Sequence, residues 1–185
     1  MARVHLKEPG NQGILLYTSP LLVLLLGIII AVAASPSDGS QCPKCPKFWV
    51  QNGNKCYRFY ASLKTWDEAS KDCSSCENSY GNLVSIGSEE ENKFVFTLWK
   101  TYNNNPDADG YTYWIGLRRS GSTWRWSDKS PYRYKRWLPG GEPNNRVVGK
   151  ENCVHQWKRN GNYLTWNDLR CDKKLPYVCE IPIGK

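Results

Sequence analysis

Hydrophobic positions divide the chain into an apolar leader and a longer remainder made of short apolar runs between polar stretches. In the leader, Arg3 and Lys7 precede residues 21–30, which are apolar apart from one glycine, and small residues end at Ala34. This order is typical of a secretory signal peptide that is cleaved after residue 34. The alternative is an uncleaved signal anchor, giving a type II membrane protein, because residues 14–34 are long enough to span a bilayer.

The first part of the remainder predicts a linker and then a β-hairpin. Residues 35–44 contain serine, proline and glycine and are typical of a linker. Aromatic-rich runs at 48–50 and 55–60 flank Asn52-Gly53, a dipeptide that favours a hairpin turn.

Two helices are predicted from their first turns. Thr65 is followed three residues later by Glu68, and Ser88 in the same way by Glu91, which is the spacing of a capping box. Apolar residues follow each start at helical spacing. Short strands are predicted at 82–86, 113–117, 124–126, 153–157 and 176–180. Two early helices and many short strands predict a small α+β domain.

Cysteine content places this domain in an oxidising compartment. All eight cysteines lie beyond the leader, and an even number in a secreted domain favours disulfides. The pairs Cys42/Cys45 and Cys73/Cys76 leave a zinc site as a weaker alternative, since their separation is long for a zinc ribbon.

The net charge of +8 is concentrated in one part of the chain. This cluster is either a solvated face or a surface that attracts anionic glycans, and its location in a secreted protein argues against nucleic acid. Its members are Arg118, Arg119, Arg125, Lys129, Arg133, Lys135 and Arg136.

Oxygen-bearing side chains gather in a region that the pattern predicts to be mostly loop. They belong to Glu142-Pro143-Asn144, Glu151 and Trp166-Asn167-Asp168. Carboxylate and amide oxygens of this kind suit a hard cation such as calcium.

Taken in order, these motifs resemble the C-type lectin domain in its long form, over residues 45–181, with residues 182–185 as a tail. The resemblance implies a C-type lectin fold with two helices, short antiparallel sheets and a long calcium-binding loop region. The matching landmarks are Cys45…Cys56-Tyr57, Trp66…Ala69…Cys73, Leu83-Val84-Ser85-Ile86…Glu90, Trp114-Ile115-Gly116-Leu117, Trp124-x-Trp126-x-Asp128, Trp137…Gly141-Glu142-Pro143-Asn144, Glu151-Asn152-Cys153, Trp166-Asn167-Asp168…Cys171 and Tyr177-Val178-Cys179-Glu180.

The resemblance implies the disulfides Cys45–Cys56, Cys73–Cys179 and Cys153–Cys171. Cys42 and Cys76 are left over, each three residues from one of these six cysteines. We expect them to form a fourth bridge. The alternative is an interchain bond through Cys42 that makes a homodimer.

The resemblance also implies one bound calcium ion, held by five side chains: Glu142, Asn144, Glu151, Asn167 and Asp168. The same glutamates and asparagines would bind vicinal sugar hydroxyls, with Arg146 at the rim. The order Glu-Pro-Asn implies equatorial 3- and 4-hydroxyls, as in mannose, fucose and N-acetylglucosamine, and a cis bond before Pro143. Many relatives bind an auxiliary calcium through carboxylates after the Trp-Ile-Gly-Leu motif, but arginines stand there in this chain, so we expect only one ion.

These expectations describe a secreted, calcium-dependent lectin for mannose-type glycans on microbial or other cell surfaces, with a role in innate immunity. The alternative is a matrix, mineral or adhesion protein that uses its basic surface. We do not expect an enzyme, because the carboxylates that a glycosidase would need are assigned to the metal.

Overall fold

The computed structural model describes most of the chain beyond residue 44, and the predicted leader (1–34) and linker (35–44) lie outside the described residues. The described residues are 45–76, 80–103, 110–146, 149–159 and 161–183. Among the helices that lie in these ranges, none has the length and apolar character needed to cross a membrane.

Two helices and eight strands make up the described part of the fold, which confirms the predicted α+β class. The helices are α1 (Trp66–Ser74) and α2 (Glu89–Tyr102). The strands are β1 (Val50–Asn52), β2 (Lys55–Lys64), β3 (Asn82–Leu83), β4 (Gly110–Ser120), β5 (Thr123–Trp126), β6 (Glu151–Arg159), β7 (Asn162–Arg170) and β8 (Leu175–Pro182).

The strands form one sheet rather than the separate antiparallel sheets that we expected. Its order is β1-β2-β8-β4-β6-β7, with β3 paired to β8 and β5 paired to β4. A parallel pairing of β4 with β8, at Trp114 and Tyr177, joins the two antiparallel halves. The sheet is therefore mixed, and its β6–β7 end carries part of the candidate site.

Local signals predicted the hairpin and the helix starts. Asn52 pairs with Lys55, so the turn residues are Gly53 and Asn54, with Gly53 at a φ of 59° that glycine adopts readily. Thr65 caps α1 with both hydrogen bonds of a capping box.

The second predicted capping box is only half formed. Ser88 Oγ accepts from the N–H of Glu91 at 3.2 Å, as predicted. The Glu91 carboxylate does not return to Ser88, because it accepts from the N–H of Gly87 at 2.7 Å and from Lys55 Nζ at 3.0 Å and Tyr57 Oη at 2.7 Å. Long-range bonds of the Glu91 carboxylate thus replace only the returning half of the capping box.

The strand predicted at residues 82–86 is shorter in the structure. Only Asn82 and Leu83 pair as a strand; Val84 is held by single backbone bonds to Val178 and Gly116.

The strand β7 was not predicted from the sequence. It contains Asn167 and Asp168, and its partner β6 begins at Glu151. The prediction of a mostly loop-like ligand region was therefore wrong for these three residues, because β6 and β7 pair antiparallel along their length.

Three disulfides link the elements as the resemblance implied. They are Cys45–Cys56, Cys73–Cys179 and Cys153–Cys171, with Cα–Cα distances of 5.6, 5.4 and 5.1 Å. Since Cys45 and Cys73 are bonded in this way, the zinc alternative is wrong. Cys76 is a free thiol in the structure, and its predicted partner Cys42 lies outside the described residues.

Candidate functional site

The five predicted calcium ligands come from a loop and from two paired strands. Glu142 and Asn144 lie in the loop between β5 and β6. Glu151 is the first residue of β6, while Asn167 and Asp168 lie in β7 opposite His155 and Val154. The peptide bond between Glu142 and Pro143 is cis, which confirms that prediction.

Asp168 connects the loop to the sheet. Its side chain is fully buried, and its two carboxylate oxygens accept from the backbone N–H groups of Asn144 at 3.0 Å and Asn145 at 2.9 Å. A buried carboxylate is stable only when its oxygens are hydrogen-bonded or paired. Asp168 therefore fixes the position of the Glu-Pro-Asn segment relative to β7.

Arg119 of β4 lies beside the same carboxylate. Its Nη2 is 3.7 Å from Asp168 Oδ2, and its guanidinium lies 4.5 Å from the ring centroid of Trp124. The sequence analysis placed Arg119 in the basic cluster and predicted that it removes an auxiliary metal. The structure adds that its positive charge faces the carboxylate that holds the loop.

Glu142 lies in a strongly negative environment. Its partial burial and the neighbouring carboxyl of Asp168 raise the pKa of Glu142 to about 7, and the charge of Glu151 adds to this increase. Asn144 moderates the repulsion by donating from Nδ2 to Glu142 Oε1 at 2.8 Å. A cation among these groups would relieve the repulsion, and oxygen donors of this type fit calcium.

His155 determines how the amide of Asn167 is oriented. His155 is buried, and this burial lowers its pKa to about 3, so the ring is neutral at pH 7. Its Nδ1 lies 2.6 Å from the carbonyl oxygen of Gln156 and must carry the proton, which leaves Nε2 as an acceptor. Asn167 Nδ2 donates to that Nε2 at 3.0 Å and to the carbonyl oxygen of Asp168 at 2.6 Å. Both amide hydrogens are therefore used, and the Asn167 oxygen is the atom suited to a metal.

Direct hydrogen bonds join several of the predicted ligands to one another. Asn144 bonds both Glu142 and Asp168, and the N–H of Glu151 donates to Asn145 Oδ1 at 3.3 Å. Within the described ranges, no group of three or more His, Cys, Asp and Glu side chains is placed to hold a metal. The amide oxygens of the asparagines are thus a necessary part of the proposed donor set.

Arg146 contributes to the site through its backbone. Its N–H donates to Asn144 Oδ1 at 2.7 Å, and the residue is exposed. A hollow of about 330 Å³ at the Glu-Pro-Asn segment is lined by residues 138–142, Asn144 and Arg159. Arg159, at the end of β6, is a basic residue at the rim that the sequence interpretation missed, because only the pairing of β6 with β7 brings it there.

The chain belongs to the C-type lectin family. The family model described as "Lectin C-type domain" matches residues 62–181. A lactose-binding lectin of Anguilla japonica is 38% identical over 140 residues, which are 73% of this chain and 76% of that protein.

Solved structures agree with this assignment. The C-type lectin CEL-I of Cucumaria echinata is 30% identical, with a TM-score of 0.66 and coverage of 76% of this chain and 99% of that one. The carbohydrate-recognition domain of cow CD23, solved in the presence of a GlcNAc2Man3 oligosaccharide, is 35% identical, with a TM-score of 0.61 and coverage of 78% and 100%. C-type lectins are in general non-enzymatic carbohydrate-binding proteins.

Proposed function

We propose that this protein is a secreted lectin that binds mannose-type glycans through one calcium ion. The observation that carries the proposal is the buried carboxylate of Asp168. By accepting from the N–H groups of Asn144 and Asn145, it brings the Glu-Pro-Asn segment and the Trp-Asn-Asp strand together. Two distant parts of the sequence thereby lie together, which supports a shared set of oxygen ligands.

The proposed ligands are Glu142, Asn144, Glu151, Asn167 and Asp168. When bound, calcium would offer the coordination positions that these side chains leave open to two neighbouring sugar hydroxyls. Protein groups would then complete the hydrogen bonds of each hydroxyl, with glutamates accepting and amides donating.

The amides need some rearrangement for this role. Asn144 Nδ2 now donates to Glu142, and both hydrogens of Asn167 Nδ2 are used within the protein. We expect Asn144 to exchange its bond to Glu142 for a sugar hydroxyl, because both groups are exposed enough to move. Asn167 is buried and is expected to act mainly through its oxygen.

The sugar class is proposed from the order Glu-Pro-Asn. The names of the relatives do not decide it, since one binds lactose and another was solved with a mannose-containing oligosaccharide. A shallow site of this kind binds a single sugar weakly, so we propose that it acts on surfaces where many glycans, including microbial ones, are engaged by several sites at once.

Chromatography on mannose and galactose resins tests the proposal. We expect calcium-dependent retention on mannose, release by chelator and little retention on galactose. The double variant E142Q/N144D exchanges the motif for Gln-Pro-Asp, which goes with galactose in this family, and should lose retention on mannose. Retention on mannose that survives the chelator would refute the calcium mechanism, and equal retention on both resins would refute the sugar class.

A further inference from the structure

The segment from β5 to the Glu-Pro-Asn motif carries several exposed positive charges. Five basic residues here are exposed, and we call them the basic strip. They are Arg125, Lys129, Arg133, Lys135 and Arg136. The only carboxylate between residues 125 and 136 is Asp128, and it is used internally, accepting from Ser85 Oγ at 2.9 Å and from the N–H of Ser130 at 2.9 Å.

Aromatic side chains hold the segment in place from beneath. Tyr132 Oη accepts from Trp137 Nε1 at 2.7 Å, and Tyr134 Oη donates to Glu89 at 2.6 Å. Tyr134 and Trp137 also pack edge-on against Trp166. Arg133 and Lys135 flank Tyr134 and are exposed, so the anchored tyrosines leave these two charged side chains facing solvent.

Most of this charge has no acidic partner among the described residues. Arg136 lies 3.7 Å from Glu89, and Lys135 lies over the ring of Tyr132 at 5.4 Å. In the part of the chain that the structure describes, Arg125, Lys129, Arg133 and Lys135 form no ion pair. Unpaired cations raise the local concentration of anions and favour a ligand that carries several negative charges.

The basic strip is continuous with the proposed sugar site. Trp166 N–H donates to the carbonyl oxygen of Arg136 at 2.7 Å, and Leu138 N–H donates to that of Trp166 at 3.1 Å. These bonds join the end of the strip to β7 directly before Asn167. A polysaccharide bound at the strip can therefore extend toward the calcium ligands.

We propose that the basic strip is a second binding site, for sulfated polysaccharides, that works without calcium. Guanidinium groups pair well with oxyanions, and several exposed cations within one short segment suit a repeating polyanion better than a single sulfate. Nucleic acid fits less well, because the aromatic rings on which bases would stack are packed inward. A membrane fits less well because the large hydrophobic side chains exposed among the described residues lie elsewhere.

Binding to heparin in the presence of chelator, at increasing salt, tests the proposal separately from sugar binding. R133Q/K135Q removes two cations of the strip. K173Q/K174Q is the matched control, since it removes two exposed cations after β7 and changes the net charge equally. We expect R133Q/K135Q to bind heparin at least ~10-fold more weakly and to lower the slope of log affinity against log salt by about 2, as expected for two lost ion contacts. The control should stay close to the wild type.

Several results would overturn the proposal, and one further result would separate it from the proposed lectin function. Equal weakening of heparin binding in both variants would show that net charge, and not the basic strip, causes the effect. Loss of heparin binding in chelator would assign it to the calcium site. Equal affinity for hyaluronan, which carries carboxylates alone, or for single-stranded DNA would remove the selectivity for sulfate. Failure of mannose binding with heparin binding intact would refute the proposed lectin function and leave the basic strip standing.

Discussion

Replacing Arg119 by glutamine tests whether its charge holds the Glu-Pro-Asn segment in place. The guanidinium is the positive group that faces the buried carboxylate of Asp168, at 3.7 Å. Glutamine keeps much of the side-chain length but removes the charge. We expect the bonds from the N–H groups of Asn144 and Asn145 to Asp168 to open more often in the metal-free protein.

The size of the effect follows from the geometry. Two unit charges at 3.7 Å attract each other by about 4.5 kcal/mol at an effective dielectric constant of about 20. Arg119 retains 27% of its side-chain exposure, so solvent screening and the cost of desolvation offset part of that attraction. A net loss of about 2 kcal/mol corresponds to roughly 30-fold faster amide exchange, since about 1.4 kcal/mol is a factor of ten.

Hydrogen exchange of the Asn144 and Asn145 amides, measured in chelator, is the direct assay. R118Q is the control: Arg118 directly precedes Arg119 in β4, but it pairs with Asp67 and lies over Trp66. R119K keeps the charge and should retain most of the protection. Equal exchange in R119Q and R118Q would refute the role given to Arg119.

Three further outcomes are expected. Gly116→Ala should lower the melting temperature, at a cost of about 1–3 kcal/mol, because its Cβ would lie 2.6 Å from the carbonyl oxygen of Leu83. Gly87→Ala is the control, since its Cβ would be 3.5 Å from its nearest neighbour. Equal melting temperatures of the two variants would contradict this prediction. Burial raises the pKa of Glu180 to about 7 despite its bond to Lys55. The folded state then binds this proton more tightly than the unfolded chain, so the contribution to stability is present below about pH 4.5 and is lost as pH rises through 7. Denaturation at pH 5 and pH 7.5 measures this: the free energy of unfolding of the wild type, relative to that of Glu180→Gln, should fall between the two pH values. Equal changes in the two proteins would argue against it. Finally, millimolar calcium should raise the melting temperature, and less so at pH 5, because protons compete for the ligand carboxylates; no shift at neutral pH would count against the site.

The elements that the sequence predicted well depend on neighbouring residues. The turn near Asn52-Gly53 and the cap at Thr65 are set within four residues, so local chemistry was sufficient. The cap at Ser88 was predicted only in part, because Glu91 binds Lys55, which lies 36 residues away.

The candidate site shows the same division. The motif residues Glu142, Asn144 and Asp168 were identified by resemblance, and the structure brings them into contact. The contributions of Arg119 and His155 were missed because they arise from strands that meet only in the folded sheet. Alternation along β6 would have placed His155 on one face, but the acceptor role of its Nε2 depends on the Gln156 carbonyl.

The central claim is that sugar binds through calcium at the Glu-Pro-Asn segment, and saturation-transfer NMR with methyl α-mannoside tests it directly at the weak affinity expected. We predict saturation transfer to the mannoside in calcium, none in chelator and none with Asn144→Ala in calcium. Transfer that persists in chelator, or that is unchanged by Asn144→Ala, would contradict the account.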